Sequence, residues 1–362
     1  MKEDILHKET ININKPWPKE GLESISQCPV CGNSDKILLY NGLKDRVFFC
    51  AQGEWTLWRC RNCSSAYINP RPNKETIGLA YRNYFTHETS INKIEALSLW
   101  KRFRRTLANG FRNYKFGSDL HPSSRLGIAL ALFPEQLNML NSAYRNLEKL
   151  NSNSSKQRLL DIGCGNGGFL FFAKSTGREV VGIDLDEKAV SVARENGLDA
   201  RLGSIDILDS KREKFDIITL GHVIEHVHDP LYLLRKCYNL LNKRGYIWID
   251  TPNIDSEGHR IYGRNWRGLE PPRHLVLFSY NSLRKALMDA GFSNIQDQPY
   301  RPLCKDLFKA SEAVSKGEDP YNTANNINFT KECKLNVKNA EAISRNEPSK
   351  REFITLKAWR LD

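Results

Sequence analysis

The sequence predicts an α/β chain built around a doubly wound parallel sheet. Three observations carry this. Leu159, Leu160 and Ile162 form a short apolar run that stops at glycines, as a strand buried on both faces does. Gly163, Gly165 and Gly167 then supply a tight turn, and Gly168 opens a helix carrying Phe169, Leu170, Phe171 and Phe172. A second apolar run, Glu179–Ile183, ends in Asp184. Strand, glycine turn, helix, strand and terminal acid describe one nucleoside-binding half of such a sheet.

Glycines in that turn let a ligand approach the backbone, because no Cβ stands in the way. Asp184 is placed to accept hydrogen bonds from ribose hydroxyls. The turn reads Gly163-Cys164-Gly165-Asn166-Gly167-Gly168, with Asp161 just before it in the strand. No side chain there offers a phosphate clamp. Asp161 would repel a pyrophosphate and favour a cationic or amino-bearing ligand.

The run Asp161-Ile162-Gly163-Cys164-Gly165-Asn166-Gly167, the acid Asp184 and the block Phe215-Asp216-Ile217-Ile218 together resemble the class I S-adenosylmethionine-dependent methyltransferases. The resemblance covers about residues 157–300 and the last strand near 353–360. It implies a seven-stranded Rossmann-like sheet and S-adenosylmethionine as cofactor. It places Asp161, Gly163, Gly165, Gly167, Asp184, Leu185, Ile205, Asp206 and His222 at that cofactor. Asp206 would accept from the adenine amine, with Ile205 against the ring; a solvated loop acid is the plain alternative. Another Rossmann-like nucleotide binder is the rival reading of the fold.

Length and composition bound the rest. The chain has 362 residues, enough for one full α/β domain and smaller additions. Its net charge of +12 can attract nucleic acid, anionic membrane or phosphorylated substrates, without choosing among them. No apolar run approaches the roughly 20 residues that span a bilayer, and the first residues lack the apolar core of a secretory signal. The expectation is a cytoplasmic protein, with peripheral contact at the inner membrane surface as an option.

Residues 1–72 form the first predicted domain. Residues 1–26 read as a loose lead-in; Trp17, between Pro16 and Pro18, packs onto the next domain or lies singly exposed. Of nine cysteines, Cys28, Cys31, Cys60 and Cys63 make two Cys-x2-Cys pairs. Thiolates at this spacing suit a structural zinc held in a ribbon, where metal would replace a core too small to build, with unliganded thiols or an iron centre as the alternatives. Ile37–Tyr40, Val47–Cys50 and Trp55–Arg59 read as its short strands, and Cys50 as core packing. Arg46, Arg59, Arg61 and Arg71 lie nearby without an aromatic string, so folding or substrate docking outranks nucleic-acid binding.

Residues 73–150 read as a helical cap or linker domain. Lys74–Arg82 is a short helix candidate and Ile91–Phe111 a longer one. In the longer one Trp100, Phe103 and Leu107 share a face, while Lys101, Arg102, Arg104 and Arg105 crowd the remainder. Such a helix lies on an anionic membrane surface, presents a solvated basic face, or guides a phosphate-bearing substrate. Gly127–Leu150 is helical too, with Pro134 starting or kinking it.

The polar linker 151–155 opens the third domain, 151–362. After Asp184 come a helix at Glu187–Asn196 capped by Asp186, a strand at Ala200–Leu202 and a strand at Phe215–Leu220. Gly221-His222-Val223-Ile224-Glu225-His226-Val227 leaves the ligand-gathering end of the sheet. His222 is thus a candidate for the cofactor's methionine part or the substrate, or a structural histidine. The His-Glu-x-x-His order of a metalloprotease is absent. A helix at Pro230–Leu241, a strand at Tyr246–Ile249, a helix over 280–290 and strands at Phe292–Ile295 and Phe353–Trp359 complete the sheet, around an insertion at 300–350. In that insertion Cys304–Val314 reads as helix and Asn322, Asn325, Asn326 and Asn328 as a polar middle, forming a lid or plain surface.

Pro272-Arg273-His274-Leu275 followed by Phe278-Ser279 is similar to bacterial methyltransferases with an amino-terminal zinc ribbon. That resemblance implies a substrate-side role for His274. A neutral histidine can remove a hydroxyl proton near neutral pH, so His274 is the expected catalytic base, with His222 as runner-up; a structural hydrogen bond to its own loop is the plain alternative for His274. The expected reaction is O-methylation of a small molecule, sugar or glycolipid. C- or N-methylation of a nucleotide-linked deoxysugar, a lipid-linked glycan acceptor, nucleic-acid methylation and a non-catalytic binding protein are the alternatives. His222-Val223 replaces the Asn/Asp-Pro-Pro-aromatic signature of amino methylation.

Overall fold

A computed structural model describes residues 14–81, 98–150, 156–323 and 327–361. The predicted linker 151–155, the start of the helix at Ile91 and two of the asparagines, Asn325 and Asn326, lie outside the described residues.

In chain order the elements are β1 (Leu22–Glu23), β2 (Lys36–Leu43), β3 (Trp55–Cys60), β4 (Ala66–Ile68), β5 (Arg71–Pro72), α1 (Leu99–Phe116) and α2 (Pro134–Ala143). Then follow β6 (Arg158–Ile162), α3 (Gly168–Ser175), β7 (Glu179–Asp184), α4 (Glu187–Glu195), β8 (Asp199–Leu202), β9 (Phe215–Gly221) and α5 (Pro230–Leu240). The chain continues with β10 (Leu241–Pro252), α6 (Glu257–Tyr262), β11 (Val276–Leu277), α7 (Tyr280–Asp289) and β12 (Ser293–Asp297). It closes with α8 (Cys304–Lys316), α9 (Pro320–Thr323), α10 (Lys331–Asn346) and β13 (Phe353–Trp359).

The main sheet has seven strands in the order β12-β13-β10-β9-β6-β7-β8. β10, β9, β6, β7 and β8 run parallel, while β13 is antiparallel to both its neighbours. From β6 the chain winds outward through β7 and β8, then returns to the other side at β9. The switch point therefore lies between β6 and β9, where open α/β sheets gather ligands beyond the strand ends. Leu159, Leu160, Ile217, Ile218 and Leu220 are buried there, which is why these strands read as unbroken apolar runs.

A second sheet, β11-β4-β3-β2, carries Cys60 at the end of β3 and Cys63 in the turn to β4, with Cys28 and Cys31 in the segment before β2. Its edge strand β11 comes from the loop of the larger domain: Val276 pairs with Tyr67 and Leu277 with Ala66. The amide of Ile68 also donates to the Leu275 carbonyl at 3.1 Å. The cysteine-bearing unit and the loop around His274 are thus parts of one sheet. Trp17 packs edge-on against Trp55 with centroids 5.3 Å apart, which decides its two readings in favour of packing.

Several elements differ from the sequence reading. Val47–Cys50 is not a strand: the Asp45 carboxylate accepts the amides of Val47, Phe48, Cys50 and Ala51 and wraps the backbone around itself. Of the helix expected at Lys74–Arg82, the described residues through Tyr81 form only a 3-10 turn over Ile77–Tyr81. Gly127–Leu150 splits at Pro134 into a 3-10 stretch, Arg125–Leu132, and α2. The described residues of the 300–350 insertion include three α-helices, and its Cys304, Phe308 and Ala340 form a small core against Ile261 and Tyr262. The helical module 98–150 is pinned to the sheet domain by rings: Tyr144 stacks on Phe172 at 3.6 Å and Phe116 meets Phe172 edge-on at 5.3 Å, pairs worth about 1 kcal/mol each beyond area burial. No described helix is long and apolar enough to cross a membrane.

Candidate active site at the sheet switch point

The turn after β6 is held open by its glycines. Gly163, Gly165 and Gly167 have φ of +71°, +52° and +83°, the left-handed region that other residues enter at a cost. A Cβ on Gly163 would strike Val223 at 2.5 Å, whereas one on Gly165 would meet nothing within 4 Å. Open space therefore stands over Gly165. Asp184 closes this turn: the Gly165 amide donates to its Oδ2 at 2.8 Å and the Asp186 amide to its Oδ1 at 2.9 Å. Each oxygen keeps lone-pair capacity for a further donor. Beside Asp184, three apolar side chains face solvent, Leu185 at 77%, Leu202 at 44% and Ile207 at 48% exposure. Uncovered apolar surface beside an acid with spare acceptor capacity is a setting that a nucleoside base and ribose would fit. Ile205 is buried in a 3-10 turn. Asp206 is engaged by the Tyr232 hydroxyl at 2.5 Å and the Ser204 hydroxyl at 2.9 Å, with Tyr232 foremost in holding its carboxyl below the usual range.

Asp161 sits deeper than its sequence position suggested. It is fully buried; Arg145 Nη1 donates to its Oδ1 at 2.5 Å and the Thr219 hydroxyl at 2.7 Å. Burial pushes its carboxyl up to about 6, with Arg145 and Thr219 pulling the other way. Arg145 escaped the sequence reading. Its guanidinium stacks over Phe169 at 4.3 Å and stands 3.1 Å from where a Gly221 Cβ would be. It thus caps the ends of β6 and β9, and supplies the fixed cation that the glycine turn itself lacks.

Past β9 the backbone turns sharply. His222 has φ +56°, unusual for a residue with a side chain, and its amide bonds the Asp250 carbonyl at 2.8 Å. Such a conformation costs energy and persists where its surroundings hold it. The half-exposed His222 ring presents Nδ1 to Glu225 at 3.4 Å and Nε2 to Asp250 at 3.5 Å, and meets Phe353 edge-on. Burial would favour the neutral ring, but Glu225 and Asp250 outweigh it and raise its pKa above the ordinary value. Glu225 is itself buried; desolvation works against its charge, yet His222 and the neighbouring histidines bring it down to about 2. The Thr251 hydroxyl donates to its other oxygen at 2.9 Å.

His274 occupies a different setting. It is 3% exposed, with Nδ1 at 2.8 Å from the Gly268 carbonyl and Nε2 at 3.6 Å from Glu270. Burial drives its pKa down to about 4, with Glu270 acting in the opposite direction. Its ring lies 4.9 Å from that of His226, which contacts the Tyr81 hydroxyl at 3.0 Å. Glu225, His226 and His274 bring one donor atom each within 4.8 Å of one another. The adjacent Arg273 is fully buried and forks onto Asp45, with nitrogens 3.1 and 3.2 Å from its two oxygens. This pair locks the His274 loop onto the cysteine-bearing sheet.

The Sγ atoms of Cys28, Cys31, Cys60 and Cys63 all lie within 4.8 Å of one another, with Cys28–Cys63 and Cys31–Cys60 at 3.6 Å. A tetrahedral zinc with sulfur at about 2.3 Å requires edges of about 3.8 Å. Two of the six edges are close to that value and the rest lie within 4.8 Å, so the four sulfurs are gathered closely enough for one such ion.

A seven-stranded sheet in this order, with a glycine turn at its switch point, is the fold of the class I S-adenosylmethionine-dependent methyltransferases. Residues 136–297 match the family model described as a methyltransferase domain. The chain is 36% identical over 136 residues to a ubiquinone biosynthesis O-methyltransferase of Glaesserella parasuis, covering 34% of this chain and 57% of that one. It is 32% identical over 114 residues to the protein of that name from Bordetella avium, covering 30% and 47%. The chain thus spans about half the length of these curated relatives. Among solved structures, a SAM-dependent methyltransferase from Archaeoglobus fulgidus aligns with TM-score 0.41 and 20% identity, over 64% of this chain and 98% of that one.

Proposed function

We propose that this protein is an S-adenosylmethionine-dependent methyltransferase that methylates a hydroxyl oxygen on a small molecule, with His222 as the base. What carries this reading is the pairing of two neighbouring features: open space over Gly165 beside Asp184, and a half-exposed histidine flanked by two carboxylates at the next strand end.

S-adenosylmethionine, when bound, supplies a methyl group on a sulfonium leaving group. The backbone at Gly163–Gly167 would admit its nucleoside, Asp184 would accept the ribose hydroxyls, and Leu185, Leu202 and Ile207 would cover the base. Arg145 would pair with its carboxylate, since a guanidinium binds carboxylates in a fork. Glu225, 3.4 Å from Nδ1 without a hydrogen bond to it, would stabilise the imidazolium once Nε2 has taken the acceptor's hydroxyl proton. Asp250 then faces the imidazolium that forms, and the half-exposed ring hands the proton to solvent. His274, buried behind Glu270, would position the loop.

The relatives' name, ubiquinone biosynthesis O-methyltransferase, supports an oxygen acceptor on a small molecule; the net charge of +12 keeps sugar phosphates and lipid-linked glycans among the acceptors to test. Methyl-labelled S-adenosylmethionine offered with phenolic and sugar hydroxyl panels checks this. Ether-linked label that disappears in His222→Gln is expected. Label found only on nitrogen or carbon, or undiminished transfer by His222→Gln, contradicts it.

The four cysteines would hold one structural zinc. Elemental analysis of the reduced protein should give one zinc per chain, falling in Cys60→Ser; protein free of metal yet fully folded would exclude this.

A further inference from the structure

The helical module 98–150 leaves an apolar and cationic surface uncovered. Eight of the nineteen large apolar side chains exposed among the described residues lie between Leu99 and Met139. At the outer end of α1, Leu99 is 83% exposed, Trp100 66% and Phe103 52%, and the last two rings stack at 5.8 Å. The 3-10 stretch after α1 crosses it so closely that a Cβ on Gly127 would stand 1.9 Å from the Leu107 carbonyl oxygen. It nonetheless leaves Leu132 79% exposed. Beyond the Trp100–Phe103 stack, these side chains face mostly solvent among the described residues.

Charge decides what would cover them. Lys101, Arg102 and Arg104 are exposed on the same two turns, and no acid occurs between 98 and 118. A second copy of the face would set like charge against like. An anionic lipid surface meets both halves: aromatic rings seat at the headgroup boundary, and cationic side chains pair with lipid phosphates. We propose that the outer end of α1 docks this protein on anionic membrane. The other end of the module is Arg145, at the switch point, so a docked chain would have its candidate active site next to the helices that touch lipid. The docking inference stands apart from the methyl-transfer reading and is tested without it.

Sedimentation of the full chain with vesicles of phosphatidylglycerol and phosphatidylethanolamine, against phosphatidylcholine alone, is the experiment. Binding to the anionic vesicles alone is expected, weakening with salt. Trp100→Ala/Phe103→Ala and Arg102→Glu/Arg104→Glu should each lose about tenfold or more in binding, with circular dichroism and S-adenosylmethionine binding unchanged. The proposal is overturned by no binding, by equal binding to phosphatidylcholine, or by undiminished binding of either variant. Self-association abolished by Trp100→Ala/Phe103→Ala, without vesicle binding, would make the face an interface between copies and also overturn it.

Discussion

Two loops at the same end of the sheet each set a histidine beside a glutamate, and they behave in opposite ways. His222 lies 3.4 Å from Glu225 and His274 3.6 Å from Glu270. The His222 ring is half open to solvent and has a second carboxylate, Asp250, so the acids prevail and its pKa rises. His274 is enclosed, so desolvation prevails and its pKa falls to about 4. A carboxylate neighbour alone does not make a usable base. Under the proposed reading, access to water separates a proton carrier at His222 from a loop fastener at His274.

The comparison breaks first on turnover. His222→Ala should lower kcat by about 10²- to 10⁴-fold while cofactor affinity stays nearly constant. His274→Ala should keep turnover within about tenfold if folded, and lose thermal stability instead. Reversed losses would exchange the two roles. The pH profile sharpens the contrast: kcat/KM should rise with pH through an apparent pKa above that of free imidazole, because the proton on His222 must leave before it can act.

The lock behind His274 comes next. Arg273→Met leaves Asp45 charged and buried without its partner, so urea unfolding should show a loss of about 3–5 kcal/mol. Arg273→Met/Asp45→Asn should recover part of it, because the unpaired charge is gone while a side-chain oxygen still accepts from the surrounding amides. Acid should have a smaller effect of definite sign. On unfolding, His274 returns to an ordinary value near 6.5, while in the fold it stays neutral until about 4. The unfolded chain therefore binds the extra proton in that window, and stability falls as pH drops from 6.5 toward 4 by up to about 3 kcal/mol. His274→Gln should flatten the slope, as read from denaturation midpoints across pH. The smallest expected change is at Arg145→Lys, which loses the fork and should weaken S-adenosylmethionine by about tenfold, measured by titration.

What could be read from sequence was local. The glycine turn, Asp184 and the two cysteine pairs announce themselves within a few residues, because turn chemistry and ligand spacing are short-range. Arg145 did not, since its meaning lies in a pairing with Asp161 across the strand entry, and its own φ of +52° occurs without a glycine to signal it. The Val47–Cys50 segment has strand composition, but one carboxylate, Asp45, captures its amides. β11 is two residues long, and only its partner β4, some two hundred residues earlier, makes it a strand. The depth of His274 followed from that same long-range pairing, so its sequence motif gave no sign that the ring would be enclosed.

Calorimetric titration of the full chain with S-adenosylmethionine, beside Asp184→Ala, bears most directly on the switch-point site. One site per chain is predicted, weakened at least about tenfold in the variant through loss of the charge-assisted ribose bonds. No binding heat in the wild type, or equal affinity in Asp184→Ala, would contradict it.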